Sequence, residues 1–192
     1  TVTATLSFAT IIDTTVVLDT SGTATEGTDY GTISDITISA GDTTGTATFD
    51  PTDDSVYEGN ETATVTIANV VGADSGSTTS QTITITENES TPVVTLATSA
   101  TSIAENAGSS LTLTATLSNA TTEDVTVALS TSGTGTEGTD YSTISDITIS
   151  AGATTGTASF TPSNDSIYEL NETAIVAINT VTIPGGGSAT EN

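Results

Sequence analysis

The sequence lacks every basic side chain: its 192 residues include no lysine, arginine or histidine, against 24 aspartates and glutamates and a formal net charge of −24. A soluble chain of this length usually carries about twenty basic residues mixed with the acidic ones. Their absence excludes side-chain salt bridges and catalysis by an imidazole or an amine. Nucleic acids and anionic membranes are bound chiefly through Lys and Arg, so we expect neither as a partner. Dissolved cations are the expected partners.

Cysteine, methionine and tryptophan are also absent, and aromatic residues make up only 4% of the chain. Without cysteine, no disulfide can constrain the fold. No apolar run reaches the about 18 residues that span a membrane, so we expect no membrane insertion. The core should be thin, built from Val, Ile, Leu and Ala with the few phenylalanines and tyrosines as larger fillers. We expect Tyr57 and Tyr168 to be among these core anchors.

Apolar residues alternate with threonine in several short stretches, such as residues 1–6, 62–67 and 82–85. Alternation with a period of two is typical of a strand with one buried face. Threonine, about a quarter of the chain, is β-branched and favours strands over helices. Turn clusters rich in Gly, Ser, Asn and Asp separate the stretches. The sequence therefore predicts an all-β fold of antiparallel β-sandwiches.

A long internal repeat divides the chain. The segment that begins "TSGTATEGTDY" at Thr20 recurs as "TSGTGTEGTDY" at Thr131 and continues without a gap, an offset of 111 residues. A period of this length suits a sandwich domain of roughly 100 residues better than a solenoid turn. We therefore predict two tandem domains, residues 1–90 and 91–192, joined by a short linker near residues 86–92.

The two copies are cut unequally, which suggests a segment of a longer chain. Residues 92–110 have no counterpart in the first copy, and the stretch "QTITITENES" from Gln81 has none in the second. We expect the first domain to lack its opening strand and the second its closing strand. An unpaired sheet edge can accept a strand from a neighbouring molecule, so head-to-tail strand sharing without any metal is one interpretation. Simple excision from a longer tandem array is the other.

One acidic stretch, "DPTDDSVYEGNET" at residues 50–62, recurs as "TPSNDSIYELNET" at residues 161–173. The first copy holds five carboxylates: Asp50, Asp53, Asp54, Glu58 and Glu61. Two carboxylates about 4 Å apart repel by roughly 4 kcal/mol at an effective dielectric constant of 20. Such a cluster must spread into water, share protons or bind a hard cation. Calcium, which takes about six to eight oxygen ligands, suits these residue types better than magnesium or zinc. A solvated acidic turn that caps backbone amides is the alternative.

These motifs resemble those of the Calx-β domain family. The resemblance rests on "GTDY", the strand "ISDITISAG" and the string "GTATFDPTDDSVYEGNETATVTI", and it extends over nearly all of both copies. It implies two tandem immunoglobulin-like β-sandwiches, each with calcium sites at one end. The implied metal ligands of the first copy are Asp29, Asp53, Asp54, Glu58, Glu61, Glu87 and Glu89. Those of the second copy are Glu105, Asp140, Asn164, Asp165, Glu169 and Glu172.

The sequence departs from the family pattern at both ends. The first copy has no first-strand glutamate, and the second has only Glu191 where the family often has a terminal acidic run. Asn164 stands where the first copy has Asp53, so that position carries one charge less. We therefore expect the second copy to bind calcium more weakly when it acts alone.

Taken together, these features predict an extracellular structural protein: a tandem-repeat adhesin, matrix fibre or filament subunit, stiffened by calcium at its domain ends. A calcium-sensing regulatory module of a larger surface or transport protein is the alternative. Glu58 and Glu61 could be read as a glycosidase acid and base, but the chain has no tryptophan to bind a sugar. We expect no enzymatic activity.

Overall fold

The structure, a computed structural model, describes residues 1–183 and 187–188. Within them the chain forms fifteen strands and one 3₁₀ turn, Glu105–Ala107. In chain order the strands are β1 (Val2–Thr5), β2 (Thr14–Gly22), β3 (Ile36–Ile38), β4 (Thr44–Ala47), β5 (Val56–Tyr57), β6 (Glu61–Val71), β7 (Ser80–Ile85), β8 (Val94–Thr98), β9 (Leu111–Leu117), β10 (Ala120–Thr121), β11 (Val125–Gly133), β12 (Ile147–Ile149), β13 (Thr155–Phe160), β14 (Ala174–Ile183) and β15 (Gly187–Ser188). In this part of the chain no helix has the length and apolar character needed to cross a membrane.

The chain divides into two compact units. The first consists of Thr1–Asp54 and Gly59–Glu87, and the second of Ser55–Glu58 and the chain from Asn88 onward. The sequence did not indicate that the four residues Ser55–Glu58 belong to the second unit. Strand β5 lies in this segment and pairs in parallel with β10.

Two antiparallel sheets form the first unit, one with the strand order β3-β2-β6-β7 and one with β1-β4. Its core contains Val16 of β2, Ile36 and Ile38 of β3, and Val65 of β6, all buried. Thr37, between the two isoleucines, is exposed, as the alternating pattern predicts. The prediction of an all-β sandwich is confirmed for this unit.

The second unit repeats this plan, with the sheets β12-β11-β14-β15 and β13-β9-β8. The core residues of β12 and β11 include Ile147, Ile149 and Val127, each fully buried. An aromatic pair closes each core. Tyr30 stacks on Phe49 in the first unit and Tyr141 on Phe160 in the second, each with 4.9 Å between ring centroids.

The smaller sheet differs between the units. In the second unit β9 pairs on both sides, with β8 and with β13. In the first unit β1 occupies the place of β9 but, within the described residues, pairs only with β4. The larger sheets differ at their outer edges. Strand β7 pairs with Glu61–Thr66 of β6, whereas β15 pairs only with Thr182 and Ile183 of β14.

Candidate metal centre

A close approach of two backbone segments builds the acidic end of the second unit. A Cβ atom on Gly133 would lie 2.1 Å from the carbonyl oxygen of Thr173, so only glycine fits at this crossing. The same oxygen accepts the backbone N–H groups of Thr134 and Gly135, at 2.9 and 3.0 Å. In return the Thr134 hydroxyl accepts the N–H of Thr173 at 2.9 Å. These contacts hold the loop that begins at Thr134 against the residues just before β14.

Three carboxylates gather at this end of the second unit: Asp140, Glu169 and Glu172. Each offers an oxygen atom, and these atoms lie within 4.8 Å of one another. Asp140 is half-buried, and its Oδ2 atom accepts the backbone N–H of Thr136 at 2.6 Å. That hydrogen bond orients the carboxylate toward the two glutamates, both of which are exposed. The group supplies oxygen ligands only, from side chains that the fold brings to one place.

Desolvation and the neighbouring negative charges make these glutamates harder to ionise. Desolvation, the negative charge of Asp140 and a hydrogen bond to Asp140 raise the pKa of Glu172 above its ordinary value. Desolvation, followed by the charges of Asp140, Asp165, Glu172 and Glu105, raises the pKa of Glu169. Since the chain has no basic residue, no side chain can offset this repulsion. Water, a proton or an added cation must do so.

The acidic residues around this group have further partners. Glu105 accepts the backbone N–H of Asp165 through its Oε1 atom at 2.9 Å. Asp165 accepts the N–H of Ile167 through Oδ1 at 2.6 Å. Both side chains are exposed, as is Asn164. Glu105 and Asp165 therefore order the loop beside the three-carboxylate group and add negative charge to it. Glu191 lies outside the described residues.

The first repeat brings together two of the corresponding carboxylates, 111 residues earlier. Asp29 and Glu61, both half-buried, lie in the first unit and share a hydrogen bond, whereas Glu58, also half-buried, belongs to the second unit. Asp29 accepts the N–H of Thr25 at 2.6 Å, as Asp140 does from Thr136. Desolvation, the charge of Asp29, a hydrogen bond to Asp29 and the charge of Glu87 raise the pKa of Glu61.

The other predicted ligands of the first copy are placed as follows. Glu87 accepts the N–H of Gly59 at 2.7 Å, and its own N–H donates to the side-chain oxygen of Asn60 at 2.9 Å. Asp53 and Asp54 are exposed, while Glu87 and Glu89 are half-buried. Asp53, Asp54, Glu87 and Glu89 are not part of the three-carboxylate group. All the predicted ligands remain predictions as calcium ligands.

Several acidic residues that the sequence did not single out have a structural role instead. Glu137 accepts the hydroxyl of Thr131 at 2.6 Å and the N–H of Ile144 at 2.9 Å, and these hydrogen bonds lower its pKa. Asp146 accepts the N–H of Leu129 at 3.0 Å, at the point where the register of β11 and β14 shifts. Glu26 and Asp35 make the same contacts in the first unit. Each of these acids recurs at the 111-residue offset, but so do Asp29, Glu58 and Glu61, so the repeat alone could not distinguish the two roles.

The comparison with protein-family models agrees with this architecture. The model of the Calx-beta domain matches residues 12–89 and 87–184. Among solved structures, the chain is similar to CBD12 from CALX1.2, with 19% identity, a TM-score of 0.40, and coverage of 95% of this chain and 74% of that one. It is also similar to the calcium binding domain CBD12 of CALX1.1, with 18% identity, a TM-score of 0.37, and coverage of 88% and 69%. No curated protein matches the sequence. Because the family match extends over most of the sequence in two successive copies, the chain belongs to the Calx-β family and consists of two such domains in tandem.

Proposed function

We propose that this chain is a calcium-binding structural module of the extracellular space, part of a tandem-repeat adhesin, matrix fibre or filament. One observation carries the proposal. The fold gathers Asp140, Glu169 and Glu172 within 4.8 Å of one another in the second unit and pairs Asp29 with Glu61 in the first, in a chain without a basic residue. A structural site, rather than a catalytic one, accounts for such a group, because it contains ligand atoms but no nucleophile with an adjacent base.

The donor set fits calcium. Asp140, Glu169 and Glu172 would hold the ion, and carboxylate oxygens are the ligands that this hard cation prefers. A bound calcium ion supplies two positive charges where the chain supplies none. Asp140 would contribute an oxygen ligand, from a position set by its hydrogen bond with the N–H of Thr136. Glu105 would keep the neighbouring loop ordered. Calcium at this end would replace repulsion by attraction and so stiffen the loops.

The test is a calorimetric calcium titration of the full chain and of matched variants. Glu172→Gln removes one charge from the three-carboxylate group, and Glu123→Gln removes one from an exposed acid outside it. We expect Glu172→Gln to weaken calcium binding and Glu123→Gln to leave it unchanged. The proposal fails if the unmodified chain releases or absorbs no heat with calcium and its melting temperature is the same with calcium and with chelator.

The affinity separates this role from calcium sensing. Extracellular calcium modules bind with dissociation constants on the order of 10⁻⁴–10⁻³ M, whereas sensor sites bind at about 10⁻⁷–10⁻⁵ M. We expect the weaker range, because Glu169 and Glu172 are exposed and the pKa of each is raised, so that protons compete with calcium for both side chains. The charge of −24 also favours solubility in saline surroundings. A titration in the sensor range would favour the regulatory module instead.

Assembly into fibres is supported by the edge of β1. In the second unit β8 covers the corresponding edge of β9, while within the described residues β1 has no strand there. A strand from a neighbouring molecule could pair with this edge. Each strand of the described part already pairs within its own unit, however, so this edge alone does not identify a donor.

A further inference from the structure

A two-residue strand pairing in the second unit provides a template for contact between molecules. Val56 and Tyr57 of β5 pair in parallel with Ala120 and Thr121 of β10. Tyr57 also packs against the hydrophobic core cluster of that unit. Thr121 is buried, with 2% of its surface exposed. The segment around Tyr57 therefore docks on one defined edge, which we call the receiving edge.

The first unit has a second receiving edge at Ala9 and Thr10, 111 residues before Ala120 and Thr121. Its backbone is held in the same way. Thr10 accepts the N–H of Gly41 at 2.8 Å, as Thr121 accepts that of Gly152 at 2.8 Å. The Thr10 hydroxyl donates to the carbonyl of Ile12 at 2.7 Å, and the Thr121 hydroxyl donates to that of Glu123 at 2.8 Å. The local geometry that receives β5 in the second unit is thus present in the first.

The receiving edge of the first unit is uncovered and apolar. Among residues 1–183 and 187–188, no strand pairs with Ala9 or Thr10. Phe8, Ile11 and Ile12 around it are 83%, 97% and 58% exposed. The corresponding residues of the second repeat are polar: Asn119, Thr122 and Glu123. Large apolar side chains grouped on a surface are typical of an interaction site.

The second repeat also has a copy of the docking segment. Ile167 and Tyr168 correspond to Val56 and Tyr57, and Leu170 corresponds to Gly59. Their exposed fractions are 67%, 89% and 78%, and in the described part of the chain Ile167 and Tyr168 belong to no strand. Asp165 accepts the N–H of Ile167 and so orders the turn that leads into the segment. Within the described residues, the chain therefore presents one docking segment and one receiving edge that no strand covers.

We propose that Ile167 and Tyr168 of one copy of this chain pair with Ala9 and Thr10 of a second copy, as Val56 and Tyr57 pair with Ala120 and Thr121. The occupant is a second copy because this chain itself contains both halves of the contact. Since the two halves are different surfaces, each added copy leaves one of each uncovered, and the contact builds an open head-to-tail chain. This inference deepens the structural role proposed above and rests on it, but it does not depend on calcium.

Charge sets the conditions under which this contact forms. Each copy has a net charge of −24, so two copies repel one another in dilute buffer. Salt screens exposed charges beyond about 8 Å at physiological ionic strength. The first receiving edge also has Ile12 where the second has Glu123, so there is one negative charge fewer beside it. We therefore expect association to strengthen as salt is added.

The first experiment is disulfide trapping in the full chain, which has no cysteine of its own. Tyr168→Cys combined with Thr10→Cys places a thiol on each half of the proposed contact. Tyr168→Cys combined with Thr84→Cys is the matched control, because Thr84 is exposed on β7 outside the contact. Tyr57→Cys combined with Thr121→Cys links the residues that pair within one chain. This third variant is the positive control for disulfide formation between residues in this register.

On oxidation we expect the first variant to form a ladder of covalent dimers, trimers and longer species, which reduction abolishes. The two single variants, Tyr168→Cys and Thr10→Cys, should stop at dimers. A ladder no stronger than that of the Thr84 control would overturn the proposal. So would the absence of a ladder under conditions in which the Tyr57–Thr121 disulfide forms.

The second experiment is sedimentation of the unmodified chain over a range of concentration and salt. We expect the average mass to rise with both, Tyr168→Ser to abolish the rise, and Tyr168→Phe to retain it. A monomer under all conditions would overturn the inference. Calcium titrations of the unmodified chain and of Tyr168→Ser separate the two proposals. If the unmodified chain binds calcium but does not assemble, only this inference fails. If it neither binds calcium nor assembles, the proposed structural role fails as well.

Discussion

The acidic stretches at residues 50–62 and 161–173 are close copies in sequence but differ in their surroundings. In the first, Val56 and Tyr57 form β5 and are half-buried. In the second, Ile167 and Tyr168 belong to no strand and are 67% and 89% exposed. The two segments share their residue types and spacing, so the difference lies in whether a partner strand edge is available to each. A short strand of two residues cannot persist without a partner edge, because each residue it orders costs about 1–2 kcal/mol of conformational entropy.

This comparison corrects one expectation. The prediction that Tyr168 anchors the core is wrong, since most of its surface is exposed. Tyr57 is half-buried and packs against the core cluster of the second unit from its edge. The tyrosines that fill the cores are Tyr30 and Tyr141, with 1% and 3% of their surfaces exposed. Their burial and their stacking on Phe49 and Phe160, not the residue type, distinguish them from Tyr57 and Tyr168.

The largest effect should come from the core tyrosines, where the two units are alike. We expect Tyr141→Ala and Tyr30→Ala each to lower the free energy of unfolding by about 3–5 kcal/mol, the usual cost of removing a buried aromatic ring. Urea denaturation followed by circular dichroism would measure both. A loss below about 1 kcal/mol, the average for point substitutions in general, would contradict the assignment of these rings to the cores.

A smaller effect should separate the two docking segments. Tyr57→Ala removes a half-buried ring that packs on a core, and we expect a loss of about 1–2 kcal/mol, less than full burial of a large side chain provides. Tyr168→Ala, at low protein concentration, should change stability by no more than about 0.5 kcal/mol, as exposed positions usually do. Equal losses in the two variants would show that the difference in burial has no energetic consequence.

The smallest effect concerns pH. The pKa values of Glu61, Glu169 and Glu172 are raised in the folded chain, so between the unfolded and folded pKa values the folded state binds more protons. Their contribution to stability is present at and below their unfolded pKa and is lost as the pH rises through the folded pKa. Without calcium, we therefore expect melting temperature to increase as the pH falls from 7 toward 5.

Glu172→Gln should flatten this pH dependence, because it removes one of the titrating groups. Glu137 works in the opposite direction: its lowered pKa contributes stability that is lost on acidification. Melting curves of the unmodified chain, Glu172→Gln and Glu137→Gln across this range provide the comparison. A melting temperature that rises with pH in chelator would contradict the expectation for the crowded glutamates.

Much of the fold could be predicted from the sequence because its signals are local. Alternation along residues such as Ile36–Ile38 reports which face is buried, and the crossing glycines at positions 22 and 133 recur with the repeat. Part of the candidate site could be predicted in the same way. The predicted ligands included Asp140, Glu169 and Glu172, and the structure places these three together.

The remaining acids could not be sorted by sequence. Glu26, Asp35 and their counterparts resemble ligands in composition, yet they accept backbone and hydroxyl hydrogen bonds inside their own units. Whether a carboxylate meets an N–H group or another carboxylate depends on loops that approach each other from distant positions in the chain. No local sequence pattern predicts which loops will approach each other.

By itself, the sequence determined the all-β class, the tandem repeat and the imbalance of charge, because strand periodicity, self-similarity and composition are properties of the chain alone. Only the tertiary structure decided which carboxylates crowd together, which tyrosines are buried and which edges stay uncovered. Those outcomes depend on distances between residues far apart in sequence, such as Asp140 and Glu172 or Tyr57 and Thr121. Two segments of nearly the same composition therefore ended in different surroundings.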